Sequence, residues 1–363
     1  MAIRTIYPTK NATLYEDSGS KNTGLDEILE LEKSISASGL SSTKNTRMLL
    51  QFDTSTLSAS LSALGINTAS DSGSLTWNLK LFVSEEIDIP ETYNIVAHPM
   101  RESWTAGLGK RYHNPTTTEG VSWLYRTGKT PEVLWTGGNY GGYFWSGSHA
   151  SQSATQEFSG VQGDIDIDVT NIVESWHTNT ITNTGFIVKR SGSEETSTTQ
   201  LGITRYYSKN TNTIYPPRLI AKWDNTPARS TGSMTELGSN DDIKVEALLT
   251  PEYKQDTETR VEVIAQPRFP TRTQTDAVGT ITRYALPASS SYAIIDNATG
   301  EVVIDHDTVS TLIACSGNKH YIDINFAGLF PERYYKLQVK VPDLLYTNSV
   351  QYFNVPTVFK VIK

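Results

Sequence analysis

Hydrophobic and polar positions alternate with a period of two along most of the chain, and the exceptions are short. The clearest strand is Asp164-Ile165-Asp166-Ile167-Asp168-Val169, which puts three aspartates on one face and three β-branched apolar residues on the other. At Val169 the period changes. Val169, Ile172, Val173 and Trp176 fall at i, i+3, i+4 and i+7, a stripe of about two helical turns that Asp168 is placed to cap. So short a helix is marginal alone, which predicts that it is pinned to a sheet with Trp176 as its anchor. A polar turn over 178–184 and Gly185 then lead into a strand at Phe186-Ile187-Val188. Strand patterns also cover 3–35, as two strands around a turn, and 47–52, 75–84, 92–97, 201–207 and 217–223. Leu57, Leu61 and Leu64 give 54–64 helical spacing, and 105–160 reads as long and irregular.

The pattern changes after Trp223, the last of seven tryptophans. Residues 226–241 have the composition of a linker. Beyond it, 243–249, 259–265, 280–286, 292–296, 301–305, 320–326, 334–341 and 357–362 read as strands, a spacing that suggests a β-sandwich over 242–363. Leu329-x-Pro331-x-x-x-Tyr335-x-Leu337-x-Val339 is similar to the fibronectin type III signature. That resemblance implies a tyrosine corner, with Tyr335 bonding back to the backbone, in a domain of immunoglobulin or fibronectin type.

Charge and composition narrow the chemistry. Net charge is −8 with 19% charged residues, so no basic patch dominates and a nucleic-acid partner is not expected. The single cysteine, Cys315, allows no intramolecular disulfide and reads as a buried, inert thiol. No apolar run approaches a membrane span, and the first ten residues lack an apolar signal core, so neither membrane insertion nor a cleaved signal is expected. None of the six histidines is paired at i, i+4 around a glutamate, and no Gly-x-Ser-x-Gly elbow, P-loop or dinucleotide fingerprint occurs. With no carboxylate pair set up in a readable glycosidase motif, the chain is expected to be non-enzymatic.

Two features have competing readings. Asp164, Asp166 and Asp168 are a calcium candidate, yet alternate strand residues lie roughly 6.5–7 Å apart, wide for one ion. The alternative is a solvent face plus a helix cap. Trp135, Tyr140, Tyr143, Phe144 and Trp145 sit in a glycine-rich loop over 135–147. They read as a subunit contact, as a sugar-stacking platform, or as filling for their own core. Glu194-Glu195 reads as a polar turn.

A series of motifs then appears in order: Asn22-Thr23-Gly24, Ile28-Leu29-Glu30-Leu31, Arg47 through Asp53, Leu79 through Val83, Glu102-Ser103-Trp104, Gly120-Val121-Ser122-Trp123, Asp168-Val169-Thr170 with Trp176, Asn183-Thr184-Gly185-Phe186, Arg205-Tyr206-Tyr207-Ser208 and Pro216-Pro217-Arg218-Leu219. This series resembles the DNRLRE-type module, a jelly-roll-like β-sandwich of surface proteins related to carbohydrate-binding modules, over about residues 3–224. The segment between Trp123 and Gln156 does not match it. The resemblance implies an all-β chain of two β-sandwich domains: residues 1–225, jelly-roll-like with a short helix insertion, and the immunoglobulin- or fibronectin-like 242–363. Trp104, Trp123, Trp176 and Tyr335 would be structural anchors. The whole chain also resembles uncharacterised structural proteins of marine tailed bacteriophages. That implies a virion component of tail, baseplate or neck, assembled in the host cytoplasm. Its partners would be other virion proteins, with the chain multi-copy or homo-oligomeric in the particle. The alternative is a module binding host-surface glycan, and no cofactor is implied beyond the calcium candidate.

Overall fold

The computed structural model describes residues 2–35, 43–55, 75–146, 153–160, 163–224, 234–237, 242–269, 282–308, 310–342 and 349–363. It is an all-β fold of sandwich type in two compact units, residues 5–221 and residues 1–4 with 222–363. The segment expected to be a linker lies largely outside the described residues, as does all but the start of the helix expected over 54–64.

The first strands in chain order are β1 (Ala2–Ile6), β2 (Pro8–Tyr15), β3 (Ile28–Ile35), β4 (Thr43–Phe52), β5 (Leu75–Leu81), β6 (Val83–Ile87) and β7 (Thr92–Pro99). They are followed by β8 (Tyr125–Lys129), β9 (Glu132–Leu134), β10 (Ala154–Ser159), β11 (Ile165–Asp168), β12 (Phe186–Arg190), β13 (Gly202–Tyr207) and β14 (Arg218–Trp223). One sheet has the order β1-β14-β5-β11. The larger has the order β10-β7-β12-β4-β3-β13-β6, with β2 also paired to β4, and β8 and β9 form a hairpin. The chain passes between the two sheets at buried Phe82, which separates β5 from β6. The segment read as irregular over 105–160 therefore contains a hairpin and an edge strand.

The alternating aspartate stretch folds as its pattern requires. Ile165 and Ile167 are buried opposite Leu81 and Leu79 of β5, while Asp166 and Asp168 are exposed. Helix α1 (Thr170–His177) buries Ile172, Val173 and Trp176, and the Trp176 ring lies 4.7 Å from that of Phe186. Asp168 acts one residue earlier than a formal cap: Val169 is the N-cap, and the Asp168 carboxylate accepts from Thr170 N–H at 2.9 Å. The Thr170 hydroxyl in turn accepts from Trp77 N–H at 2.8 Å, which fastens the helix start to β5.

The second unit contains β15 (Thr235–Glu236), β16 (Ile243–Ala247), β17 (Glu252–Lys254), β18 (Glu258–Pro267), β19 (Tyr284–Ala285) and β20 (Ser291–Asp296). It continues with β21 (Val302–Ile304), β22 (Ala314–Ser316), β23 (Lys319–Asn325), β24 (Arg333–Pro342) and β25 (Val350–Ile362). Its sheets are β16-β18-β23-β22 and β17-β25-β24-β20-β21, with a separate parallel pair of β15 and β19. Taken in chain order, the first sheet has the same strand order as the A-B-E-D layer of an immunoglobulin-type sandwich. The second has the order of the G-F-C layer, extended by one strand at each end. Leu337, fully buried two residues after Tyr335, stands where immunoglobulins carry the second cysteine of their inter-sheet disulfide. Cys315 lies on β22, buried and unpaired, and burial raises its thiol pKa.

Candidate functional site

The segment from Met100 to Ser146 folds over the β2–β4–β12 face of the larger sheet. It closes a cluster of Ala12, Leu14, Leu49, Met100, Trp104, Val121, Trp123, Trp135 and Ile187. One side chain from outside the segment holds it in place. Asn22, fully buried, donates to the carbonyls of Ala106 (2.6 Å) and Val121 (2.8 Å), and accepts from Gly109 N–H (2.8 Å) and Gly24 N–H (3.3 Å). Four bonds saturate a primary amide. The neighbouring Thr23 hydroxyl bridges Thr13 N–H and Thr13 O of β2. Gly24 completes the motif because a Cβ there would stand 2.1 Å from the Ala106 carbonyl. The Asn-Thr-Gly triplet thus ties main-chain atoms of the segment to β2.

A buried ionic hub holds the far end. Glu195 takes Arg47 through two bonds, Nε to Oε1 at 2.8 Å and Nη2 to Oε2 at 3.0 Å, and Lys189 Nζ to Oε2 at 2.7 Å. Lys189 and Glu195 have side chains only 5% and 10% exposed. Arg47 also lies over the Trp123 ring and donates to the Gly141 carbonyl at 2.8 Å. Gly141 has φ of 79°, and a Cβ would meet the Trp123 ring at 2.8 Å, so only glycine passes between the arginine and the indole. The pair expected to be a polar turn is therefore structural. Glu194 closes a capping box with Ser191 on helix α2 (Gly192–Thr196), and Glu195 is the hub's carboxylate. His98 packs against Phe144 beside this hub; burial, with the Lys189 charge adding, pushes its pKa down to about 4.

The aromatic residues separate by the period of the extended chain. Met100 and Phe144 form an antiparallel bridge, with Arg101 N–H bonded to Tyr143 O at 2.9 Å and Trp145 N–H to Pro99 O at 3.0 Å. Alternation sends Met100 and Phe144 inward to the core cluster and Arg101 and Trp145 to the other face, while half-buried Tyr143 also packs against the cluster. There the Arg101 guanidinium lies over both rings, 4.5 Å from the Tyr143 centroid and 4.1 Å from that of Trp145. Tyr140 is 50% exposed on the same loop. Trp135 is 1% exposed and donates from its indole to Ser122 O at 3.1 Å, so it belongs to the core and not to any contact face. Trp104 and Trp123 are buried anchors; the Trp104 indole donates to Thr184 O at 3.1 Å.

The three aspartates do not converge. Asp164 accepts from Val83 N–H, Asp166 from Asn78 Nδ2, and Asp168 from Thr170 N–H, each a different neighbour. Among the described residues no group of three or more metal-ligating side chains is brought together, and no helix is long and apolar enough to cross a membrane. A cleft of about 480 Å³ is lined by Tyr15, Asp26, Glu30, Arg111 and Arg205 among others. Buried Glu30 binds Arg111, Arg205 (2.7 Å) and the Tyr15 hydroxyl (2.6 Å), so it too is a structural node.

The surface platform, then, is exposed Arg101 and Tyr140 with half-buried Tyr143 and Trp145. Arg101 carries no motif, and only the strand register across Met100 and Phe144 reveals it. No protein-family model matches the chain, and no curated protein matches it.

Proposed function

We propose that the chain is a non-enzymatic structural component of a tailed-phage virion, working through protein–protein contacts made by the Arg101–Tyr140–Tyr143–Trp145 platform. The observation that carries this reading is the composition and anchoring of that surface. Tyrosine, tryptophan and arginine are the residues that dominate interface hot spots. Here they are fixed by Arg47 through Gly141 and by the Met100–Phe144 bridge, on a segment whose 106–121 stretch is clamped by Asn22. A pre-ordered surface loses little conformational entropy on binding. The virion as the setting rests on the whole-chain resemblance to phage structural proteins.

The test is hydrogen exchange of 135–146 in the isolated protein and in intact particles. The contact role expects protection that is markedly stronger in particles. A second reading, host-glycan binding, is favoured by the same rigidity, because rings on a fixed frame can stack sugars. It expects equal exchange in both states, with protection appearing when host polysaccharide is added.

A further inference from the structure

We propose that Arg101 is a carboxylate receptor, the point at which a neighbouring virion protein places an Asp or Glu side chain. The inference rests on the contact role proposed above and names the chemistry of the partner.

Arg47 and Arg101 both stack on aromatic rings around this loop, and they differ in what their donors do. Arg47 lies over Trp123 and spends its N–H groups on Glu195 and Gly141 O. Arg101 lies over Tyr143 and Trp145, is exposed, and among the described residues its guanidinium makes no hydrogen bond or ion pair. The neighbouring carboxylate does not serve it: Glu102 is engaged by Thr136, through the backbone N–H at 3.2 Å and the hydroxyl. Ring contacts occupy the faces of a guanidinium and leave its in-plane fork of donors directed outward. That fork matches a planar carboxylate in a bidentate pair. The rings also hold the side chain in one place, which lowers the entropy of capturing the anion, and their apolar rim shields the pair from water.

The test uses particles assembled with full-length chain carrying Arg101→Lys, treated with a water-soluble carbodiimide. The reagent activates a carboxylate as an O-acylisourea. An amine in contact then displaces the urea and forms an amide, with net loss of water taken up by the reagent. The expected product is a peptide cross-linked from position 101 to an Asp or Glu of another virion protein, identified by mass spectrometry and missing from wild-type particles. In parallel, Arg101→Glu should lower incorporation into particles by about tenfold or more, as loss of a charge-assisted pair implies, while Arg101→Lys retains most of it. Near-UV circular dichroism of the isolated variants should match wild type.

No cross-link at 101, with 135–146 still protected in particles, overturns the carboxylate inference and leaves the contact role standing. Equal exchange of 135–146 in both states overturns the contact role itself. Protection of Arg101 by polygalacturonate in the isolated protein, without protection in particles, overturns the inference in favour of an acidic glycan.

Discussion

The phenolic oxygen of Tyr335 closes a ring with Phe330, accepting from Phe330 N–H at 2.8 Å and donating to Phe330 O at 3.2 Å. This joins the start of β24 to the turn that precedes it, around a side chain with no exposed surface. Tyr335→Phe keeps the ring and removes the oxygen, and with it both bonds to Phe330. It should cost about 1–3 kcal/mol, read as a lower denaturation midpoint of the second unit. An unchanged midpoint would show that solvent replaces the bond.

Asn22→Ala should destabilise the first unit by about 3 kcal/mol or more, because two carbonyls and two N–H groups lose partners at once. Asn22→Asp should not rescue it, since a carboxylate has no donor for Ala106 O or Val121 O. A melting curve in which aspartate restores wild-type stability would show that only the accepting side of the clamp matters.

Glu195→Gln leaves Arg47 and Lys189 facing each other without their shared carboxylate. Uncompensated buried charge costs about 3–5 kcal/mol. Adding Lys189→Met should recover part of that, and a double-mutant cycle measures the coupling. Because Arg47 also holds Gly141 O, exchange over 140–146 should quicken in the single variant. Additive effects of the two substitutions would refute the hub.

The hub should also show in acid. The folded state of His98 has its pKa lowered to about 4, by burial first and then by Lys189. The unfolded chain therefore binds the proton more readily between about pH 6.5 and 4, and stability falls as pH drops through that window. The contribution is on the order of 2 kcal/mol, fully present above about pH 6.5. His98→Leu should show a shallower loss between pH 7 and pH 4 than wild type. Parallel curves would assign the acid lability to other groups.

Legibility in the sequence followed the range over which each feature is determined. The Asp164–Val169 alternation and the 169/172/173/176 stripe are local, and both elements fold as the spacing predicts. The Tyr335 bond spans five residues and was equally readable. Glu195 read as solvent-facing because its burial depends on Arg47, 148 positions away in the chain. The strands β8, β9, β10, β17 and β22 went unread because they are short or lie in a segment dense in glycine. Trp135 and Trp145 share one loop, yet one is core and the other half-buried on the surface; no period runs through glycine-rich chain to tell them apart.

Asn22 grips only main-chain atoms of the segment it holds: two carbonyls, of Ala106 and Val121, and the Gly109 N–H. A clamp of that kind is indifferent to the side chains displayed between its grips. The exposed positions 112, 114 and 116, which lie between those grips, can be rewritten without loosening the frame, provided the glycines beside the clamp remain. The module is in this sense an interchangeable mount: a lineage meeting a new neighbour needs to change the displayed letters and not the fold beneath them.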